Sequence, residues 1–164
     1  MSSLVERLEG FEDNRGMMAN LRCILVVNKK HRAWPVLKRL GVAVDNDNEA
    51  FVAGLFATHP DVTASGNFGA TCKAIEWKRS DKASDENKLT PTERRFQHLL
   101  SAEPGEELRQ RVLRMVLMAK SQGVPINYGK LLTDLRFWNE RVKTEWAASY
   151  WAPKAVPIDS EEEE

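Results

Sequence analysis

The sequence predicts an all-α protein, a two-lobed helical bundle of about eight or nine helices at ordinary helix and loop lengths. Three observations carry this. Apolar residues recur at helical spacing along most of the chain, several of these runs open on a capping signature, and no run alternates apolar and polar residues as a half-buried strand would. The lobes are expected at residues 1–80 and 90–152, joined by a linker at 81–89 and followed by an acidic, disordered tail at 153–164.

The first element is a short helix from Ser3, where Ser3 and Glu6 make a capping box and Leu4, Leu8 and Phe11 share one face. Asn14 caps a second helix with Met17, Met18, Leu21, Ile24 and Leu25 inward. Arg15 and Arg22, two turns apart on that helix, share another side, about 10 Å apart along the axis. A third begins near Lys30 or Ala33, takes Pro35 in its first turn and stops at Gly41, with Trp34, Leu37 and Leu40 on its apolar side. Asp47 or Asn48 caps a fourth, in which Phe51, Val52, Leu55 and Phe56 form a wide face that demands burial. A fifth starts between Ser65 and Asn67, with Phe68, Cys72 and Ile75 inward and Gly69 permitting close helix approach.

Residues 80–89, SDKASDENKL, lack apolar periodicity and read as solvated linker. The second half opens on the clearest helix start in the chain, TPTERRFQHLL. Thr90 caps, Pro91 takes the first helical position and Glu93 reaches back to the cap. Phe96, Leu99 and Leu100 form its buried stripe, and Arg94 and Arg95 point elsewhere. One of the two arginines is free to meet a phosphate and the other to make an internal salt bridge; the sequence leaves open which. After the break at Pro104 and Gly105, a long helix runs from Glu106 to a C-terminal stop at Gly123, with Leu108, Val112, Met115, Val116 and Ala119 inward and Leu113 and Leu117 widening the stripe. The segment 124–126 is the one stretch of this half that reads as extended, and it is too short for a sheet. Asn127 caps the next helix, with Leu131, Leu132, Leu135 and Trp138 inward, and Val142, Trp146 and Tyr150 repeat every four residues in the last.

At 164 residues and 42% hydrophobic content, the chain can bury one good core or two small helical lobes. It has no apolar run near the ~20 residues of a membrane span and no secretory leader pattern, so a cytoplasmic protein is expected. Cys23 and Cys72 lack a CxxC partner and read as buried, reduced thiols. The formal net charge of zero conceals an asymmetry. Residues 14–44 carry seven basic side chains (Arg15, Arg22, Lys29, Lys30, Arg32, Lys38 and Arg39) and no acid, while DSEEEE at 159–164 offsets them from the tail. A solvated face ordinarily mixes signs, so the acid-free run points to a polyanion.

Motifs for catalysis are missing. His31, His59 and His98 lie on separate elements without a second ligand at metal spacing, so no metal or other cofactor is expected. GNFG at 66–69 is a helix start rather than a phosphate loop, no GxSxG is present, and Glu106 with Glu107 suits a helix N-terminus. Arg109, Arg111 and Arg114 add basic positions amid acids. Of the five tryptophans most belong to the core by their spacing, and Trp77, flanked by Lys78 and Arg79, reads as exposed.

Seven pieces in order, NRGMMANLR, AWPVLKRLG, FVAGLFATHP, NFGATCKAI, TERRFQHLLSAE, LRQRVLRMVLMAKSQGVPINYGKLLTDLRFWN and VKTEWAASYW, cover most of residues 14–151. Together they resemble the CasB family, the small subunit of the type I-E CRISPR surveillance complex called Cascade. The resemblance implies a non-catalytic, two-lobed helical subunit that assembles with CRISPR RNA, the large subunit, the repeated backbone subunits and a second copy of itself. It implies that basic residues hold the guide RNA–target DNA assembly and the displaced strand, stabilising the R-loop in antiviral defence. Carried over by motif, the nucleic-acid-binding residues are Arg15, Arg22, Arg94 and Arg95, followed by Arg136 and Arg141. The alternative is a helical protein–protein adaptor whose basic surface docks acidic partners, or its own tail.

Overall fold

The computed structural model describes residues 3–153. Residues 154–164, which hold nearly all of the expected acidic tail, lie outside the described residues. Among the described residues nine α-helices follow in order: α1 (Leu4–Glu9), α2 (Arg15–Arg22), α3 (Trp34–Leu40), α4 (Asp47–Thr58), α5 (Phe68–Arg79), α6 (Pro91–Leu100), α7 (Glu106–Gln122), α8 (Tyr128–Arg136) and α9 (Glu140–Tyr150). Two 3-10 segments, Cys23–Leu25 and Val27–Arg32, connect α2 to α3. Among the described residues there is no strand; Val62 and Ile126 form an isolated parallel bridge at the end of the 124–126 stretch. The protein is all-α.

Side chains at the helix starts explain most boundaries. Both capping boxes form, Ser3 with Glu6 and Thr90 with Glu93. Asn14, Asn67, Asn127 and Asn139 each accept a backbone N–H of the first turn, satisfying a donor that the helix itself cannot. For α4 the cap is Asn46 rather than Asp47 or Asn48, its side chain accepting from the Glu49 N–H at 3.1 Å. That shift of one residue places Asp47 and Glu49 in the first turn, against the positive end of the helix dipole.

The second helix is shorter than its apolar spacing suggests. It ends at Arg22, and Ile24 and Leu25 sit on a tighter 3-10 turn that lies against Gly54 of α4. A Cβ at Gly54 would stand 2.1 Å from the Ile24 Cγ2, so the turn and α4 approach as closely as only glycine allows.

Around α4 the core is built. Every residue from 50 to 57 is buried, because α1, α2, the 23–25 turn, α7 and α8 all pack on this helix. In the second half, α5 packs on α6, α7 and α9. At its crossing with α9, a Cβ on Gly69 would lie 2.1 Å from the Trp146 carbonyl oxygen, which explains the glycine there. The buried apolar residues form one continuous cluster from Leu4 to Tyr150.

Buried polar groups join the two ends of this cluster. His59 donates from Nε2 to the Val124 carbonyl at 2.7 Å, and the Tyr128 hydroxyl donates to the His59 carbonyl at 2.6 Å. Burial, with Asp61 nearby, raises the pKa of that phenol. The Trp146 indole donates to the buried Asp134 carboxylate at 2.7 Å, and Lys130 reaches the same carboxylate at 2.9 Å. These contacts meet the demand that a buried polar group be hydrogen-bonded.

Two expectations about burial need correction. Cys72 is fully buried, and burial pushes its thiol pKa up, but Cys23 is only half-buried because the shortened α2 leaves it on the 3-10 turn. Trp77 is 83% exposed as expected, yet Trp34 and Trp151 are also substantially exposed. Trp34 begins α3 while Val36, Leu37 and Leu40 take the inner face; Trp151 follows α9 and donates to Glu93 at 2.9 Å.

Candidate nucleic-acid interface

The candidate arginines lie in three settings. Arg15 is the first residue of α2, exposed, and holds no ion pair among the described residues. Arg22 closes the same helix. Its Nε donates to the Ala57 carbonyl at 2.9 Å, one of the carbonyls that the end of α4 leaves without a helical donor. The basic run continues beyond it: Lys29, Lys30, Arg32, Lys38 and Arg39 are all exposed, on the second 3-10 segment and the last turn of α3.

The second setting is α6. Its capping box and Pro91 begin the helix, and Phe96 anchors it by stacking on Tyr150 at 4.4 Å between ring centroids. Glu76 of α5 ties the start of α6 to α9, accepting from the Thr90 hydroxyl and the Tyr150 hydroxyl, each at 2.6 Å. With Phe96 and Leu99 buried, Arg94 and Arg95 face outward. Arg94 donates from Nη1 to the Leu89 carbonyl at 3.1 Å, a tie to the preceding segment rather than a salt bridge. Arg95 has no ion pair among the described residues, and with Pro91, Arg94 and His98 it lines a shallow hollow.

An adjoining hollow brings Arg95 together with Arg79 from the end of α5 and Arg114 from α7, over a floor of Leu117, Met118 and Ser121. Arg114 likewise has no ion pair among the described residues, while Arg79 contacts Asp81 at 3.1 Å. Asp81 is occupied from several sides. Burial raises its carboxyl pKa, but hydrogen bonds from Thr92 and Arg79 outweigh that and hold it below the usual range. This grouping of Arg79, Arg95 and Arg114 is not visible in the linear sequence, because its members come from three helices. Leu117, which its spacing assigns to the inward stripe, is instead exposed one turn from Arg114.

In the third setting, Arg136 and Arg141 are paired with carboxylates. Arg136 contacts Glu49 at 2.8 Å, and Arg141 contacts Glu145 one turn on at 3.2 Å. Such exposed pairs are worth about 0–1 kcal/mol and a phosphate can displace them, but each carboxylate cancels local positive charge. The charge of Arg136 and Arg141 is therefore locally compensated, whereas Arg15, Arg95 and Arg114 hold no ion pair among the described residues.

Next to the basic segment is an apolar groove of about 240 Å³, lined by Leu25, Val27, Trp34, Val44, Phe51 and Leu113. Lys30, Glu106 and Arg109 edge it; the Glu106 carboxyl is held below its ordinary range by a hydrogen bond from Gln110, together with Arg109 and Lys30. Val27 is 73% exposed there.

The three histidines stay apart: His59 is buried in its backbone contact, His98 is exposed on α6 and His31 stands edge-on to Trp34. Among the described residues, no three His, Cys, Asp or Glu side chains converge as metal ligands, and no helix is long and apolar enough to cross a membrane.

A family model described as CRISPR-associated protein Cse2 matches residues 18–151. The fold is similar to the crystal structure of CasB from Thermus thermophilus, at 18% identity and a TM-score of 0.71, covering 92% of this chain and 96% of that one. It is also similar to a second crystal structure from Thermus thermophilus, of a CRISPR-associated protein of the Cse2 family, at 19% identity and TM-score 0.71 with the same coverage. A third similar structure is CasB from M. ruber, at 22% identity and TM-score 0.63, covering 92% of this chain and 94% of that one. No curated protein matches the chain by sequence.

Proposed function

Because the chain belongs to the CRISPR-associated Cse2 family, we propose that it is the non-catalytic small subunit of a type I-E Cascade complex in the cytoplasm. In this reading it binds nucleic-acid backbone, namely the guide RNA–target DNA assembly and the displaced strand, and so stabilises the R-loop in antiviral defence. Its partners are CRISPR RNA, target DNA, the Cascade large and backbone subunits and a second copy of itself, and no membrane is involved. The two lobes and the 81–89 connection belong to the same reading.

One observation carries it. Arg95 and Arg114, from two helices, line one hollow without a carboxylate of their own. Exchange of a DNA duplex for an RNA–DNA duplex is nearly balanced in energy, so a few phosphate contacts suffice to tip it.

The test is target binding by assembled complexes carrying Arg15→Ala, Arg95→Ala and Arg114→Ala. Each should weaken R-loop formation similarly at every target sequence and lower the slope of log affinity against log salt by about 1. Arg136→Ala and Arg141→Ala should have smaller effects. Unchanged affinity and slope in the first three variants would refute the reading.

The adaptor alternative is supported by the apolar groove beside the basic segment and its exposed Val27, Trp34 and Val44. Under it, Val27→Asp blocks assembly and the arginines form no crosslinks to nucleic acid.

A further inference from the structure

We infer that Trp77 is a stacking platform for an unpaired base, so that this face of α5 favours single-stranded over double-stranded nucleic acid; the inference rests on the proposed nucleic-acid role. Trp77 points away from the side of α5 that buries Phe68, Cys72 and Ile75 and is 83% exposed. Its ring enters none of the aromatic pairs among the described residues. On the helix wheel its neighbours are Ala70 and Ala74, too small to cover an indole, and Lys73, one turn back.

Charge decides what the ring meets. Lys73 and Lys78 are exposed and hold neither a hydrogen bond nor an ion pair among the described residues. Glu76, the single carboxylate of α5, is turned inward to Thr90 and Tyr150. The outer face of α5 is thus an aromatic ring flanked by uncompensated ammonium groups. Lysine is depleted at protein–protein interfaces, whereas an aromatic ring flanked by lysines suits a strand of exposed bases and phosphates. A duplex offers the phosphates, but its bases are already stacked.

The experiment measures binding of the full-length chain to a labelled oligothymidylate and to a duplex of the same length, for wild type, Trp77→Ala, Trp77→Phe and Lys73→Gln. Circular dichroism first checks that the variants are folded. Trp77→Ala should lose about tenfold in single-strand affinity with the salt slope and duplex affinity unchanged. Trp77→Phe should keep most of the affinity, and Lys73→Gln should lower the salt slope.

Equal loss on both ligands, or no loss on either, would overturn the inference while leaving the proposed function standing. Impaired association with other Cascade subunits at unchanged single-strand affinity would also overturn it, and would mark the face as a protein interface. A wild-type chain that binds neither ligand would refute the inference together with the isolated chain's part in the proposed function.

Discussion

Gly69 shows how one missing methyl sets a helix crossing. Its hydrogen stands where any other residue would drive a Cβ into the Trp146 backbone, at 2.1 Å from the carbonyl oxygen. Backbone cannot swing aside as a side chain does, so α5 and α9 must separate to admit alanine. Gly69→Ala should destabilise the protein by about 3 kcal/mol, measured by urea unfolding. A control at Gly123, whose φ of 68° is left-handed but whose surroundings are open, should lose less, from backbone strain alone. The close approach at Gly69 is legible in the sequence, since glycine inside an apolar helical run needs a reason. The same rule applies to Gly54 within FVAGLFA, but what approaches it is not legible, because Ile24 sits on a turn that only tertiary packing creates.

At the scale of elements, the capping residues make most helix starts readable in advance, Thr90 and Asn127 among them, since a capping oxygen and its N–H partner lie within three residues of each other. Helix ends decided at a distance are less readable: nothing local stops α2 at Arg22. The start of α6 also depends on a residue outside it. Asp81 accepts from the backbone and hydroxyl of Thr92 and from Arg79, and its carboxyl titrates below the ordinary range. A carboxyl depressed in the folded state stabilises the fold in full above its unfolded value of about 4 and loses that contribution as pH falls through the folded value. The difference in unfolding midpoint between wild type and Asp81→Asn should therefore be largest near neutral pH and shrink on acidification below about pH 4. Equal differences at both pH values would show that Asp81 acts only through shape.

For the molecule as a whole, the buried residues on both sides of 81–89 belong to one cluster. Lys82 and Lys88 are exposed within that segment. Trypsin limited to one cut there should yield two fragments that elute together from size-exclusion chromatography and unfold in one transition; fragments that separate would mean independently stable lobes. The all-α class was legible from periodicity and caps; local charge marked only the acid-free run at 14–44, and Arg94, Arg95, Arg136 and Arg141 came from the family resemblance. The spatial grouping of arginines was not legible: Arg79, Arg95 and Arg114 converge only after three helices pack, and the carboxylates opposite Arg136 and Arg141 become partners only in the folded chain.

The bond from Arg22 to Ala57 has a further consequence. A surface arginine ordinarily surrenders rotational freedom when it grips a ligand, whereas this one has surrendered part of it on folding, leaving its outer nitrogens aimed in a set direction. Lysine would keep the charge and lose the aim. Arg22→Lys should thus leave the salt slope of target binding untouched and still weaken the affinity, separating the worth of orientation from that of charge.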